Sequence, residues 1–185
     1  MRETMRARLP WIAATLLVAS LVHMGSLYLL PRLVMHRAFE RLGTPNMMHY
    51  GKRPDASARA VVRPSPDVIY AICSYDLSKG PLRVTTALTH SNYWSVSAFD
   101  AATNNFFVRD DQQIAGDSFE ILMVKRGQAL PSPGKAPEHA IVFSPSERGV
   151  ILLRTVIDDD KNIPALEALL HQSTCETVAP AKTLR

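Results

Sequence analysis

The sequence predicts a mainly β domain, an antiparallel β-sandwich or open barrel with one late α-helix, carried behind a single N-terminal transmembrane helix. Three observations predict it. From Leu9 to Leu30 no side chain is charged, whereas Arg2, Arg6 and Arg8 precede this run and Arg32, Arg37 and Arg41 follow it. Beyond residue 58 the apolar residues recur with the period of strands, punctuated by turn residues. Only one late stretch, about 164–172, reads as a helix.

A helix over 9–30 matches the roughly 30 Å hydrocarbon core of a bilayer and satisfies its own backbone, as lipid requires. The rival reading is a cleavable signal peptide, whose apolar stretch is about 7 to 15 residues and ends in a small-x-small site. The run here is longer, and its small pair, Gly25-Ser26, lies inside it. The expectation is therefore an uncleaved anchor with the lipid bilayer as first partner. His23 falls near mid-membrane, where an imidazole either serves a function or stays neutral and bonds across a helix interface.

Pro31 suits the first turn of a new helix, because its missing N–H would be unpaired there anyway. Met35, Ala38, Phe39 and Leu42 then recur at helical spacing, opposed by Arg32, His36, Arg37, Glu40 and Arg41, with Gly43 as the stop. This predicts a juxtamembrane amphipathic helix with its cations at phosphate level; the alternative is a helix packed on the globular domain. Residues 1–42 form the anchor, 43–58 a breaker-rich linker with Pro45, Gly51 and Pro54, and 59–185 the β domain. Residues 1–41 hold six basic and two acidic side chains, and the remainder holds fifteen of each. The basic excess belongs to the anchor, so nucleic acid, which needs a basic face, is excluded as partner.

Within the domain, residues 68–75 (Val-Ile-Tyr-Ala-Ile-Cys-Ser-Tyr) are apolar on both faces and predict a central strand covered on both sides. Leu82, Val84, Thr86 and Leu88 alternate with Arg83, Thr85 and Ala87 as in a half-buried strand. Further strands are expected at 60–63, 93–99, 105–109, 119–124, 140–143 and 150–157, with corners at 78–81, 115–117 and 148–149. The only biased segment is the Pro/Gly stretch 126–137. The late helix has Pro164 near its first position and Asp158, Asp159 and Asp160 near its positive end. The dipole accounts for this acidic triplet, so no metal is expected.

Strong catalytic signatures are missing. There is no phosphate-cradling glycine loop, no His-Glu-x-x-His, no Gly-x-Ser-x-Gly and no Cys-x-x-Cys. His49, His90, His139 and His171 have no ligand spacing, and no cofactor is expected. The two cysteines, Cys73 and Cys175, allow one intrachain pairing. Outside the cytoplasm a bridge between them is reasonable; inside it both are ordinary thiols.

Arg63 to Tyr70 (Arg-Pro-Ser-Pro-Asp-Val-Ile-Tyr), Asp76-Leu77-Ser78-Lys79-Gly80-Pro81, Tyr93-Trp94 with Asp100, Thr103-Asn104-Asn105-Phe106, and Gly149 to Asp158 together resemble the bacterial family catalogued as domain of unknown function 1254. The resemblance implies a mainly β domain, often exported or membrane-associated. It also implies a longer usual form with a second β domain, catalogued as 1214, so this chain resembles a short, membrane-anchored form. No catalytic residue comes with it. On this basis the C-terminal domain is expected in the periplasm of the bacterial envelope, with the anchor in the inner membrane.

Arg63, Asp67 and Asp76 lie around the ends of the 68–75 strand and are the candidate ligand-binding residues. Asp67 and Asp76 suit turn-holding equally well. The expected function is a single-pass membrane protein whose β domain binds a small ligand or an envelope partner. The alternative is an enzyme of unknown reaction with its site near the same strand ends, and the silence of the motif search favours binding.

Overall fold

The computed structural model describes residues 2–55, 57–59, 64–130, 136 and 138–179, with side chains from Arg8 onward. The chain opens with one helix, α1 (Arg2–Arg41), which carries Pro10 and Pro31 in its interior. The expected new start at Pro31 does not occur. Proline removes one backbone hydrogen bond, but helix already formed propagates at low cost. In the turn that Pro31 disturbs, the Arg32 guanidinium donates to the Tyr28 carbonyl at 2.7 Å and lies 3.7 Å over the Tyr28 ring.

Among the described residues nine strands follow: β1 (Met48–Tyr50), β2 (Val68–Asp76), β3 (Leu82–Ala87), β4 (Trp94–Phe99), β5 (Asn105–Asp110), β6 (Ser118–Lys125), β7 (Glu138–Ser144), β8 (Arg148–Val156) and β9 (Thr174–Thr177). A short helix, α2 (Ile163–Leu170), precedes the last strand, with proline at its first turn as the sequence predicts. The strands form two open sheets, which we call sheet A, in the order β1-β2-β8-β4-β5, and sheet B, in the order β7-β6-β3-β9. This is a sandwich, not a closed barrel.

Alternation builds the core. On sheet A the inward row comprises Ile69, Ala71, Cys73 and Tyr75 of β2, Ile151 and Leu153 of β8, and Val96 and Ala98 of β4. Sheet B meets it with Leu82 and Val84 of β3 and Phe119, Ile121 and Met123 of β6, while Leu166 and Leu170 of α2 join the same cluster. Fully burying a side chain of this size contributes about 1.5 to 3 kcal/mol, so this shared cluster is what holds the two sheets together.

Four expectations need correction. The 43–58 segment is not all linker, because β1 pairs with β2 through Met48↔Cys73, His49↔Ile72 and Tyr50↔Ala71. No strand was expected after the late helix, yet β9 pairs antiparallel with β3. β2 is interior but not central: β8 occupies the middle of sheet A, and Val68, Tyr70 and Ile72 of β2 are only half-buried. Finally, β6 and β7 are parallel. A parallel pair needs a crossover of about a dozen residues, and the Pro/Gly-rich stretch 126–137 spans that connection. The strand expected at 60–63 lies outside the described residues.

The apolar face of Met35, Ala38, Phe39 and Leu42 does not lie free at the end of α1. Met35 and Ala38 are buried, α1 contacts β8, and the Arg148 guanidinium sits 5.5 Å over the Phe39 ring. The amphipathic stripe thus covers part of the outer face of sheet A.

Candidate functional site

Asp76 ends β2 and is almost wholly buried. Its Oδ1 accepts from the Ser78 amide at 2.9 Å and the Ser78 hydroxyl at 2.5 Å, and its Oδ2 accepts from Arg148 Nε at 2.9 Å. Burial pushes the Asp76 carboxyl up, but the Ser78 hydroxyl, the Ser78 amide and Arg148 together outweigh burial and hold its pKa below the ordinary value. The Asn46 side chain locks the backbone beside it: its Oδ1 accepts from the Asp76 amide at 2.7 Å and its Nδ2 donates to the Asp76 carbonyl at 2.9 Å. Nearly every acceptor position on this carboxylate is already used within the fold. Asp76 holds the turn into the 3₁₀ segment Leu77–Lys79.

Asp67 lies beyond the other end of β2 and is exposed; its carbonyl accepts from the Ile157 amide at 2.9 Å. Nine steps along the strand at ~3.3 Å each separate it from Asp76 by about 30 Å, so the two carboxylates do not share a site. That is a correction to the candidate cluster, and Arg63 lies outside the described residues.

Cys73 and Cys175 are joined in a disulfide, with Cα atoms 6.4 Å apart and a sequence separation of 102. Cys73 belongs to β2 of sheet A and Cys175 to β9 of sheet B, so the bond fastens one sheet to the other through the core.

Sequence reasoning missed the polar row on the outer face of sheet A. Register places Tyr70, Arg154, Ser95 and Asp110 side by side on β2, β8, β4 and β5, with Ser97 two residues along β4 from Ser95. Arg154 Nε donates to Ser95 Oγ at 3.2 Å and its Nη2 to Ser97 Oγ at 3.3 Å. The two serines are 1% and 0% exposed although they face away from the core, because the half-buried guanidinium lies over them. Asp110 turns its Oδ1 to the Gln112 amide of its own loop. The legible signal was the alternation in Trp-Ser-Val-Ser-Ala-Phe, which sets two serines on one face of a strand beside an arginine in an otherwise apolar neighbour.

Beside this row Val150 and Ser74 are buried, and the Ser74 hydroxyl has no hydrogen-bond partner among the described residues. On sheet B a second buried charge, Glu120, pairs with Arg83, whose guanidinium also reaches Glu176 at 3.8 Å. Among the described residues, no three His, Cys, Asp or Glu side chains group to hold a metal ion. Shallow grooves flank α1 along Trp11, Thr15 and Leu16 and along Val18, Ala19 and Val22.

A family model described as "Protein of unknown function (DUF1254)" matches residues 45–177, from just before β1 to the end of β9. No curated protein matches the chain. Among solved structures, the VPA0106 protein from Vibrio parahaemolyticus superposes with a TM-score of 0.63 at 13% sequence identity, over 83% of this chain and 35% of that one. An uncharacterized protein from Burkholderia cenocepacia gives a TM-score of 0.49 at 17% identity, over 86% of this chain and 44% of that one. The chain therefore spans about a third of the first structure and under half of the second. The likeness to the Vibrio protein supports the fold.

Proposed function

The chain belongs to the DUF1254 family of proteins of unknown function, and on that premise we propose that it is a single-pass protein of the bacterial inner membrane whose β domain stands in the periplasm and binds a small ligand or an envelope partner. The observation that carries this reading is the state of α1. Within Arg8–Arg41 the apolar window has a mean hydropathy of 1.8 and none of it is buried by the protein. Trp11, Leu16, Leu17, Leu21 and Met24 are all more than 60% exposed. Water would leave that surface unpaid, whereas a bilayer covers it. The hydroxyls on this helix suit lipid as well: Thr15 donates to the Trp11 carbonyl at 2.9 Å and Ser20 to the Leu16 carbonyl at 2.8 Å.

Met35, the first buried residue of α1, comes five positions after Leu30, which is about 8 Å of helix. The domain accordingly rides at the headgroup layer, with Arg32, Arg37 and Arg41 at its base. Sidedness rests on chemistry other than the charge rule, because three arginines flank each end of the span. The disulfide favours an oxidising compartment, and large domains translocate largely regardless of flanking charge. Alkaline phosphatase fused after Arg185 is expected to be active in cells; an inactive phosphatase with a fluorescent cytoplasmic reporter at the same position would reverse the topology.

A further inference from the structure

We propose that the outer face of sheet A carries a binding site for one oxyanion group, a phosphate or a carboxylate, provided by the Arg154 guanidinium, which the hydroxyls of Ser95 and Ser97 hold in place. The proposal deepens the binding reading above and rests on it. Among the described residues, Arg53, Arg83 and Arg148 each pair with a carboxylate, and Arg154 does not. A guanidinium stays charged at all relevant pH and offers five N–H donors in a planar fork. Here two of them go to neutral hydroxyl oxygens at 3.2 and 3.3 Å, the long end of the N–H···O range. The remaining donors, on Nη1 and Nη2, have no carboxylate to meet.

The serines add to this rather than compete with it. Each Oγ accepts from Arg154, so together they fix the plane of the guanidinium from beneath. Ser95 and Ser97 form a low floor on β4, bounded by Tyr70 on one side and by the 40%-exposed Val108 of β5 on the other. Tyr70 is held in place, its hydroxyl accepting from the Ser65 amide at 3.1 Å. Asp110 is the one acid in the row, and its Oδ1 is engaged by its own turn. An oxyanion meeting the outward edge of the guanidinium takes a forked pair of bonds from the remaining N–H groups on Nη1 and Nη2, which is the arrangement that makes arginine selective for phosphate and carboxylate. The anion has two possible sources, a soluble ligand or a lipid headgroup, since the end of α1 packs on the same sheet face.

The test uses the full chain in maltoside micelles, which contain no phosphate, titrated with inorganic phosphate against chloride at constant ionic strength. Phosphate is expected to raise the midpoint of thermal unfolding saturably. Arg154→Gln should weaken this response by about tenfold or more while leaving the phosphate-free midpoint close to that of the parent, and Arg154→Lys should retain part of it. A Ser95→Ala/Ser97→Ala variant keeps the charge, loses both hydroxyls and should bind several-fold more weakly. Arg109→Gln, on β5 two strands from Arg154, should respond as the parent does. In nanodiscs of phosphatidylglycerol the response disappears if a headgroup fills the site and persists if the ligand is a soluble anion. A parent protein that ignores phosphate, or an Arg154→Gln variant that responds equally, would overturn the proposal. Neither outcome changes the phosphatase result, so failure of the site is distinguishable from failure of the membrane reading.

Discussion

Replacing Gly149 with alanine is expected to cost about 3 kcal/mol or more, enough to remove much of the stability of a domain this size. Gly149 sits in β8 opposite Tyr75, with the β4 backbone on its other flank. A Cβ there collides with the Phe99 carbonyl oxygen and lies 2.5 Å from the Tyr75 hydroxyl oxygen. Tyr75 has no freedom to swing aside. It is wholly buried, donates to the Phe99 carbonyl at 3.3 Å and shares a 2.8 Å hydrogen bond with Ser144. Shortening Tyr75 in a Gly149→Ala/Tyr75→Leu double variant should not rescue the loss, because the Phe99 carbonyl is backbone. Gly127 provides the contrast: its φ is +87° but nothing lies within 4 Å of a Cβ, so Gly127→Ala should cost only about 1 kcal/mol of backbone strain. Urea denaturation followed by tryptophan fluorescence compares the two. Equal losses at both positions would refute the close approach.

The second large effect concerns the inter-sheet bridge. Converting both Cys73 and Cys175 to alanine should cost about 2 to 4 kcal/mol, because the bond closes a loop of 102 positions in the unfolded chain. The loss should show first in β9. This strand has only four residues, pairs among the described residues with β3 alone and lies at the edge of sheet B, so without the bond it is the element most prone to open. Hydrogen exchange at Thr174, Glu176 and Thr177 should accelerate more than exchange in β2. Uniform acceleration across both strands would show that the bridge supports the whole core and not β9 in particular.

What the sequence revealed follows from how local each signal was. The alternation in β3 and the continuous apolar run of β2 are local patterns, and both became strands. β1 and β9 have three and four residues, too short to show a period, and they exist because a neighbouring strand offers them an edge. The apolar stripe of Met35, Ala38 and Phe39 was visible, but a sheet face and a lipid interface look alike to it. Pro31 was a sound signal for a new helix start by propensity, overridden by packing of the turns beyond it. At the site, Asp67 and Asp76 were singled out for flanking one strand, and strand geometry itself holds them apart. Arg154, Ser95 and Ser97 come from β8 and β4, and only the register Ser95↔Arg154 brings them together. Register between strands more than fifty residues apart is tertiary information.

The tether is the claim on which compartment and function both depend. Membranes from cells expressing the full chain, washed in alkaline carbonate and probed with antibodies to each end, test it directly. The account predicts an intact polypeptide retained in the pellet, since a helix spanning the bilayer is effectively irreversible. A product found in the supernatant, or one whose N-terminus has been cleaved near Gly25-Ser26, would contradict it.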